Sequence, residues 1–151
     1  MPNITAIIGK TCAGKTTYAK TLPGILLSSD DFMLPLFGQH CEQIHKHLPI
    51  VQDCLLELAL QILSKDIDII LDLGFWLCAE RQRVATFFAA HGMAVQWVYI
   101  DIPKELQLRQ IAKRNAEIEQ GLKAYHVSPA LAQACDDMFE EPEEIDGLFR
   151  V

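Results

Sequence analysis

The sequence predicts a single α/β domain of three layers, with helices on both faces of a mostly parallel sheet of four or five strands. Short apolar runs rich in β-branched residues alternate with longer amphipathic segments, as strands and helices do around a parallel sheet. Glycine or proline separates most of these segments. The length of 151 residues, 50% of them hydrophobic, suits one core rather than two.

The predicted strands are short apolar runs bounded by glycine, proline or polar residues. The first reads ITAII, and the third reads IDIILDL and is followed by Gly74. The run at the end of the chain is expected to add only a short edge strand. In chain order the predicted strands are residues 4–8, 25–27, 67–73, 95–100 and 148–151.

The predicted helices begin or end at proline, glycine or serine. Pro49 marks the start of a strongly amphipathic helix, and Gly92 and Gly121 end two later ones. Pro103 suits a first helical turn, and Ser128 followed by a proline suits an N-cap and first turn. In chain order the predicted helices are residues 15–22, 52–65, 79–91, 103–119 and 128–138.

Composition limits the class of partner. The formal net charge of −7 gives no support to broad contact with a nucleic-acid backbone, although a local basic groove remains compatible with it. Five scattered cysteines without a C-x-x-C pair favour reduced thiols. The first residues do not resemble a signal peptide, and charges interrupt every apolar stretch before membrane-spanning length. We expect a cytoplasmic monomer or homodimer with no membrane partner.

One motif lies where the first strand meets the first helix. Residues 9–16, here called the glycine loop, read GKTCAGKT and match G-x-x-x-x-G-K-[ST]. Its glycines let backbone amides surround an anion, and the following helix adds its positive N-terminal end. A glycine turn with an exposed lysine is the alternative, but the flanking strand and helix favour a loop that binds the phosphates of a nucleoside triphosphate. The predicted nucleotide-binding residues are Gly9, Thr11, Cys12, Ala13, Gly14, Lys15, Thr16 and Thr17.

Two residues of this motif and one later acid have predicted roles in phosphoryl transfer. Lys15 is expected to reach the β- and γ-phosphates as a catalytic cation, and the Thr16 hydroxyl to bind Mg²⁺. Asp72, near the end of the third strand, is the second predicted Mg²⁺ ligand, in the manner of a Walker B aspartate. Its alternative is a strand-end acid that caps the turn at Gly74.

Two adjacent acids follow the second strand. Ligands of open α/β sheets bind at the carboxyl ends of strands, so Asp30 is the predicted base that accepts the proton of an acceptor hydroxyl. The alternative is that Asp30 and Asp31 cap a helix beginning near Phe32. Both interpretations can hold, with Asp31 as the cap or orienting group.

Basic residues of the fourth predicted helix are candidates for covering the transferred phosphate. Arg109 and Arg114 are the predicted catalytic arginines, and residues 109–127 the predicted lid of a domain that spans residues 1–151. On a straight helix Arg109 shares a face with Lys113, whereas Arg114 points elsewhere, so all three cannot reach one phosphate unless the helix bends or ends early. A solvated basic face is the alternative.

Taken in order, these motifs resemble the small P-loop kinases of the AAA_33 and zeta-toxin-like group, which includes polynucleotide 5′-hydroxyl kinases and chloramphenicol phosphotransferases. The resemblance implies a P-loop NTPase fold, ATP and Mg²⁺ as cofactors, Asp30 as the base, and Arg109 and Arg114 as lid arginines. The first motif is common to many ATPases, whereas the later ones are more restrictive. The matching segments are IIGKTCAGKTTYAK, LLSSDDF, DIILDLGF, RQIAKRNAE and YHVSPALAQACDDMFEEP.

Two departures from that group bear on the acceptor. Ser29 stands where polynucleotide kinases usually have a basic residue, and Leu-Gly-Phe follows Asp72 in place of a polar segment. The predicted function is therefore an ATP-dependent kinase that phosphorylates a hydroxyl of a small, partly apolar molecule. One alternative is a nucleoside or polynucleotide 5′-hydroxyl kinase. Another, of a different class, is a nucleotide-gated binding protein or regulatory ATPase without an acceptor.

Overall fold

A parallel sheet forms the centre of the computed structural model, which describes residues 1–38, 43–122 and 124–151. In this part of the chain its strands pair in the order β2-β3-β1-β4-β5, and every pairing is parallel. The central position of β1 places the residues that follow it in the middle of the sheet's carboxyl edge. The strands are β1 (Ile4–Gly9), β2 (Ile25–Ser28), β3 (Ile69–Asp72), β4 (Val95–Ile100) and β5 (Phe149–Arg150).

Helices connect the strands and pack on both faces of the sheet. Alternate residues of β1 point to opposite faces, so Ile8 packs in one cluster with Leu55 and Val84, and Ile7 packs in another with Ala19. The predicted three-layer fold with a parallel sheet is confirmed. The helices are α1 (Lys15–Ala19), α2 (Asp30–Phe37), α3 (Ile44–Leu63), α4 (Cys78–Ala89), α5 (Lys104–Glu119) and α6 (Pro129–Met138).

Two predicted helix starts are wrong. Helix α3 begins at Ile44 and contains Pro49, because a proline in the second turn removes one backbone hydrogen bond and the long buried face beyond it compensates for the loss. Helix α2 begins at Asp30 rather than near Phe32, so its acids lie in the first turn and Ser29 is the N-cap residue. A first-turn carboxylate still benefits from the positive end of the helix dipole.

The remaining predicted elements are present, with ends that differ by three residues at most. Local signals set these ends: α5 stops at Glu119, just before Gly121 with its φ of 105°. The Ser128 side chain caps α6 and accepts a hydrogen bond from the Leu131 amide at 3.1 Å. Among the described helices, none combines the length and apolar character needed to cross a bilayer.

Candidate functional site

The glycine loop leaves the carboxyl end of β1 and turns directly into α1, and its two glycines are required for different reasons. A Cβ at Gly9 would lie 2.9 Å from Cγ of Lys15, so only glycine leaves room for the lysine stem to cross. Gly14 has a φ of 94°, in the left-handed region that disfavours a side chain. Cys12 also has a positive φ, of 58°, and is buried. The loop is therefore held in a shape that few other sequences adopt.

The Lys15 ammonium turns back over this loop. Its Nζ donates hydrogen bonds to the carbonyl oxygens of Gly9 at 2.9 Å and Lys10 at 2.8 Å. Burial lowers the pKa of Lys15 below its usual value, and the nearby carboxylates of Asp72 and Asp30 oppose this shift. A half-buried, desolvated cation whose direct partners are neutral carbonyls gains from an anion placed beside it.

The two predicted metal ligands, which come from α1 and β3, are in direct contact. The Thr16 hydroxyl donates a hydrogen bond of 2.8 Å to Oδ2 of Asp72. The side chain of Asp72 lies at the carboxyl end of β3 and is buried, with the residue 7% exposed. A hydroxyl and a carboxylate fit Mg²⁺, which prefers oxygen ligands and takes the rest of its shell from phosphates and water. The pair can therefore hold a metal beside the glycine loop.

Asp30 lies next to this pair because β2 and β3 are neighbours and Ser28 is in register with Asp72. Although Asp30 is exposed overall, its carboxyl group is partly desolvated, and this desolvation raises its pKa above the usual range. The charge of Asp72 raises the pKa further, whereas the charges of Lys15 and Arg114 lower it. A carboxylate with a raised pKa is a stronger proton acceptor.

Of the two predicted arginines, Arg114 lies near the glycine loop. Its charge lowers the pKa values of Asp30, Lys15 and Cys12, which places it within electrostatic reach of all three. Arg109 is exposed on α5 and makes no hydrogen bond or ion pair with any residue in the described ranges. The two arginines are five residues apart and lie on different faces of a helix that continues to Glu119. A role for Arg109 remains a prediction.

The face of α5 that packs on the glycine loop contains a residue that sequence reasoning missed. The side chain of Gln107 is 1% exposed, and its Nε2 donates to the Thr11 carbonyl at 2.9 Å and to Oδ1 of Asp136 at 3.2 Å. One turn later, Ile111 packs in one apolar cluster with Cys12 of the loop. The sequence did contain one signal, which is spacing. Gln107 precedes Ile111 by four residues and Arg114 by seven, and these intervals place the three side chains on one face of a helix.

The segment after β3 supports the glycine loop from the other side. Nε1 of Trp76 donates to the Gly9 carbonyl at 3.0 Å, so this oxygen accepts from both Trp76 and Lys15. Phe75 is buried with a φ of 55° and packs edge-on against Trp97 in the core. The Leu-Gly-Phe-Trp segment therefore has a structural role at the loop.

Arg81 holds this segment in place. It is 1% exposed, and its guanidinium donates to the carbonyl of Phe75 at 2.7 Å and to the carboxylate of Glu144 at 2.7 Å. Glu144 belongs to the acidic stretch near the C-terminus, so Arg81 ties that stretch to the loop after β3. The partner is 63 residues away, which is why the sequence gives no sign of this clamp.

The end of the predicted lid is tied to α5 by the amide side chain of Asn115. Asn115 accepts a hydrogen bond from the Val127 amide at 3.0 Å and donates to the Val127 carbonyl at 2.6 Å. This double contact joins α5 to the residue before the Ser128 cap, so the R-N and V-S-P motifs are linked in space. Residue 123 of the predicted lid lies outside the described residues.

Comparison with known proteins now identifies the family. The AAA_33 family, described as an AAA domain, matches residues 4–140. The chain belongs to this family. The match covers the glycine loop, the Asp30 and Asp72 region and α5, so the predicted resemblance to the AAA_33 kinase group is confirmed. No curated protein matches the chain.

Solved structures share the fold at low sequence identity. A chain of the Pnkp1/Rnl/Hen1 RNA repair complex superposes with a TM-score of 0.77 and 16% identity over 96% of this chain. This chain spans only 46% of that one, less than half of its length.

Two further structures match over nearly their whole length. Kti12 of Chaetomium thermophilum, in complex with ADP-AlF3, gives a TM-score of 0.67 at 15% identity, covering 98% of this chain and 88% of that one. The APS kinase CysC of Mycobacterium tuberculosis, in complex with AMPPNP and APS, gives 0.66 at 15% identity, with coverages of 99% and 87%. These similarities confirm the P-loop kinase fold.

Proposed function

We propose that the protein is an ATP-dependent kinase that requires Mg²⁺ and transfers the γ-phosphate to a hydroxyl group of a small-molecule acceptor. The observation that carries the proposal is the hydrogen bond between Thr16 and Asp72, at a point where the charges of Lys15 and Asp30 also act on each other. Phosphoryl transfer needs a phosphate cradle, a metal site and a base within a few ångströms, and these residues supply one of each.

In this proposal the glycine loop amides and Lys15 bind the triphosphate, and Thr16 and Asp72 would hold Mg²⁺. Bound Mg²⁺ would supply positive charge to the β- and γ-phosphate oxygens. Asp30 takes the proton of the acceptor hydroxyl as its oxygen bonds to the γ-phosphorus. The bond between that phosphorus and the β–γ bridging oxygen breaks, and ADP leaves with the electron pair. Arg114 stabilises the charge on the transferred group. Arg109, which lies on another face of α5, would reach the same phosphate only if the helix turned or bent when the lid of residues 109–127 closed.

The names of similar structures support a nucleotide-dependent reaction. One structural relative is an APS kinase in complex with AMPPNP, and another is in complex with ADP-AlF3. At these identities the likeness concerns the fold, so the choice of kinase chemistry for this chain depends on the arrangement of Lys15, Thr16, Asp72 and Asp30.

The surface beside Asp30 favours a partly apolar acceptor. Helix α2 exposes Leu36 and Phe32 to solvent, at 64% and 41%, directly after the acid pair. Phe37 stacks on His47 with ring centroids 4.2 Å apart. The only charged residues of α2 are Asp30 and Asp31, which would repel a phosphate backbone. An apolar or aromatic alcohol without phosphate groups suits this surface better than a 5′-hydroxyl oligonucleotide.

The test is a screen for ADP release from Mg·ATP that depends on an added acceptor. The panel contains hydroxylated metabolites, nucleosides, aromatic alcohols and 5′-hydroxyl oligonucleotides. We expect stimulation by an apolar or aromatic alcohol, and we expect Asp30→Asn to reduce it by about 10²–10⁴-fold with ATP affinity retained. The matched control is Asp31→Asn, which should keep most of the activity.

Three outcomes would contradict the proposal in different ways. Stimulation by oligonucleotides alone would favour the 5′-hydroxyl kinase and would show strong salt dependence. Stimulation that Asp30→Asn leaves unchanged would remove Asp30 as the base. Slow ATP hydrolysis that no acceptor stimulates, together with a partner protein whose affinity follows the bound nucleotide, would favour the nucleotide-gated binding protein.

A further inference from the structure

Helix α5 approaches the glycine loop with one face only. Gln107, Ile111 and Arg114 lie on that face, at intervals of four and three residues. Gln107 donates to the backbone of Thr11, Ile111 packs in one cluster with Cys12, and the charge of Arg114 acts on Lys15. These two contacts and the electrostatic effect of Arg114 follow the loop in order from Thr11 towards its lysine. The rotation of α5 about its axis therefore decides where the Arg114 guanidinium lies.

Gln107 supplies the polar contact that fixes this rotation. Both partners of its side-chain nitrogen, the Thr11 carbonyl and an Asp136 carboxylate oxygen, are acceptors. Only the NH₂ end of the amide can satisfy both of them, so the orientation of the amide is determined by chemistry. The side chain is 1% exposed, and water competes poorly for either bond.

The second partner of Gln107 extends the contact to α6. Lys104, at the start of α5, also binds the Asp136 carboxylate. Burial alone would raise the pKa of Asp136, but the hydrogen bonds from Lys104 and Gln107 outweigh this effect and hold the pKa below its usual value. The carboxylate is therefore charged at neutral pH and bridges the two helices.

We propose that Gln107 is a positioning residue, which anchors α5 to the Thr11 carbonyl so that Arg114 is directed at the transferred phosphoryl group. The inference rests on the proposed function, because it assigns Arg114 a task only in phosphoryl transfer. Gln107 itself touches no reacting atom. Its loss should therefore weaken binding of the transition state more than binding of the product nucleotide.

The experiment compares the affinities of the folded protein for Mg·ADP and for Mg·ADP with aluminium fluoride, a mimic of the transferred phosphoryl group. The proteins are the wild type, Gln107→Leu, Arg114→Ala and the double variant. We expect Gln107→Leu to weaken aluminium fluoride binding by about tenfold, as for loss of a buried hydrogen bond, and Mg·ADP binding by less than about twofold. In the Arg114→Ala background, Gln107→Leu should have almost no further effect.

Two other variants control for a general loss of structure. Gln110→Leu makes the same chemical change on α5 at a half-buried position that has no hydrogen bond to the glycine loop in the described residues, and it should leave both affinities unchanged. Gln107→Glu preserves the size of the side chain but directs a carboxylate at two acceptors. It should weaken aluminium fluoride binding at least as much as Gln107→Leu does, so it serves as the test if Gln107→Leu does not fold.

The possible failures are distinguishable. A wild type that binds neither Mg·ADP nor the aluminium fluoride complex would overturn the proposed function. If the wild type binds both, equal weakening of the two complexes in Gln107→Leu would overturn the inference, because it would show that Gln107 only shapes the glycine loop. Additive effects of Gln107→Leu and Arg114→Ala would overturn it as well, since the two residues would then act independently.

Discussion

The glycine loop and helix α5 both bring a cation to the same site. The first cation is placed by residues close to it in sequence, and the second by residues far from it in sequence. Lys15 is positioned within its own motif, through hydrogen bonds to the carbonyls of Gly9 and Lys10. Arg114 depends on the packing of α5, and the Gln107 contact that anchors this helix reaches Thr11 across 96 positions of sequence. A local motif therefore specifies the first cation, and only the tertiary structure specifies the second.

The difference explains why the two predicted lid arginines are not equivalent. Sequence spacing separates the faces of Arg109 and Arg114 but does not say which face meets the loop. In the structure the face of Gln107 and Ile111 packs inward, which brings Arg114 with it and leaves Arg109 exposed. Lys113, on the exposed face, pairs with Glu117 at 4.0 Å, a surface contact of little energetic weight.

The largest expected loss of activity follows mutation of the glycine loop. Lys15→Met removes the ammonium but keeps the length of the side chain, and we expect a loss of about 10³-fold in kcat/KM because a charge-assisted contact to the phosphates disappears. Isothermal titration with Mg·ATP should show a matching loss of affinity. Lys10→Met is the control within the same loop, since the ammonium of Lys10 lies over the Phe139 ring. Equal losses in both variants would contradict the assignment of Lys15 as the cation that contacts the phosphates.

A somewhat smaller effect is expected on α5. Arg114→Ala should lower kcat by about 10²-fold with little change in the KM for ATP, because its contact strengthens as charge develops on the phosphoryl group. Arg109→Ala is the matched comparison, and we expect its loss to be at least about tenfold smaller. Steady-state kinetics with the acceptor found by the screen gives both values. A larger loss at Arg109 would show that α5 turns when the lid closes.

The locally specified and the packing-dependent features also differ in how far the sequence could predict them. The strands, the turn at Gly14 and the Ser128 cap depend on residues close in sequence, and all three were predictable. The start of α3 was not, because the buried face beyond Pro49 outweighs the local signal of the proline. The positions of Gln107 and Arg81 depend on partners more than 60 residues away. Spacing on α5 indicates which residues share a face with Gln107, but not that this face meets the glycine loop.

The pH dependence of transfer connects the two regions. As the proposed base, Asp30 must be deprotonated to accept a proton, and burial and the charge of Asp72 raise its pKa. The acid limb of the kcat profile should therefore lie above the pH at which an ordinary aspartate titrates, with activity rising with pH. Lys15 and Arg114 lower this pKa, and the neighbouring Asp31 raises it. Arg114→Ala should therefore shift the limb to higher pH. A shift to lower pH in the pH–rate profile would contradict this coupling.

The raised pKa of Asp30 also affects the stability of the fold, which should fall as the pH rises. A folded-state pKa above the unfolded value means that protonated Asp30 favours the fold, and this contribution is lost as the pH rises through the folded pKa. At pH 7 the charged Asp30 carboxylate therefore destabilises the folded state. Asp30→Asn should raise the melting temperature at pH 7 and have less effect at pH 3, measured by thermal unfolding. An unchanged or lower melting temperature at pH 7 would contradict this.

The smallest expected effect concerns the lid. Asn115→Ala removes both hydrogen bonds to Val127, which should cost about 1–2 kcal/mol and lower the melting temperature by about 2–8 °C. Glu119→Ala is the control near the exposed end of α5 and should change it very little. Hydrogen exchange should show faster exchange at the Val127 amide. Protection that is unchanged there would mean that other contacts hold the lid.

The central claim is that Thr16 and Asp72 form one metal site with the glycine loop, and the most direct test is the gain in ATP affinity that Mg²⁺ produces. Titration of ATP with and without Mg²⁺ should show tighter binding with the metal in the wild type and in Asp31→Asn. In Asp72→Asn, which keeps the size of the side chain, this gain should fall by about tenfold or more. A wild type whose ATP affinity is indifferent to Mg²⁺, or an Asp72→Asn variant with the full gain, would contradict the account.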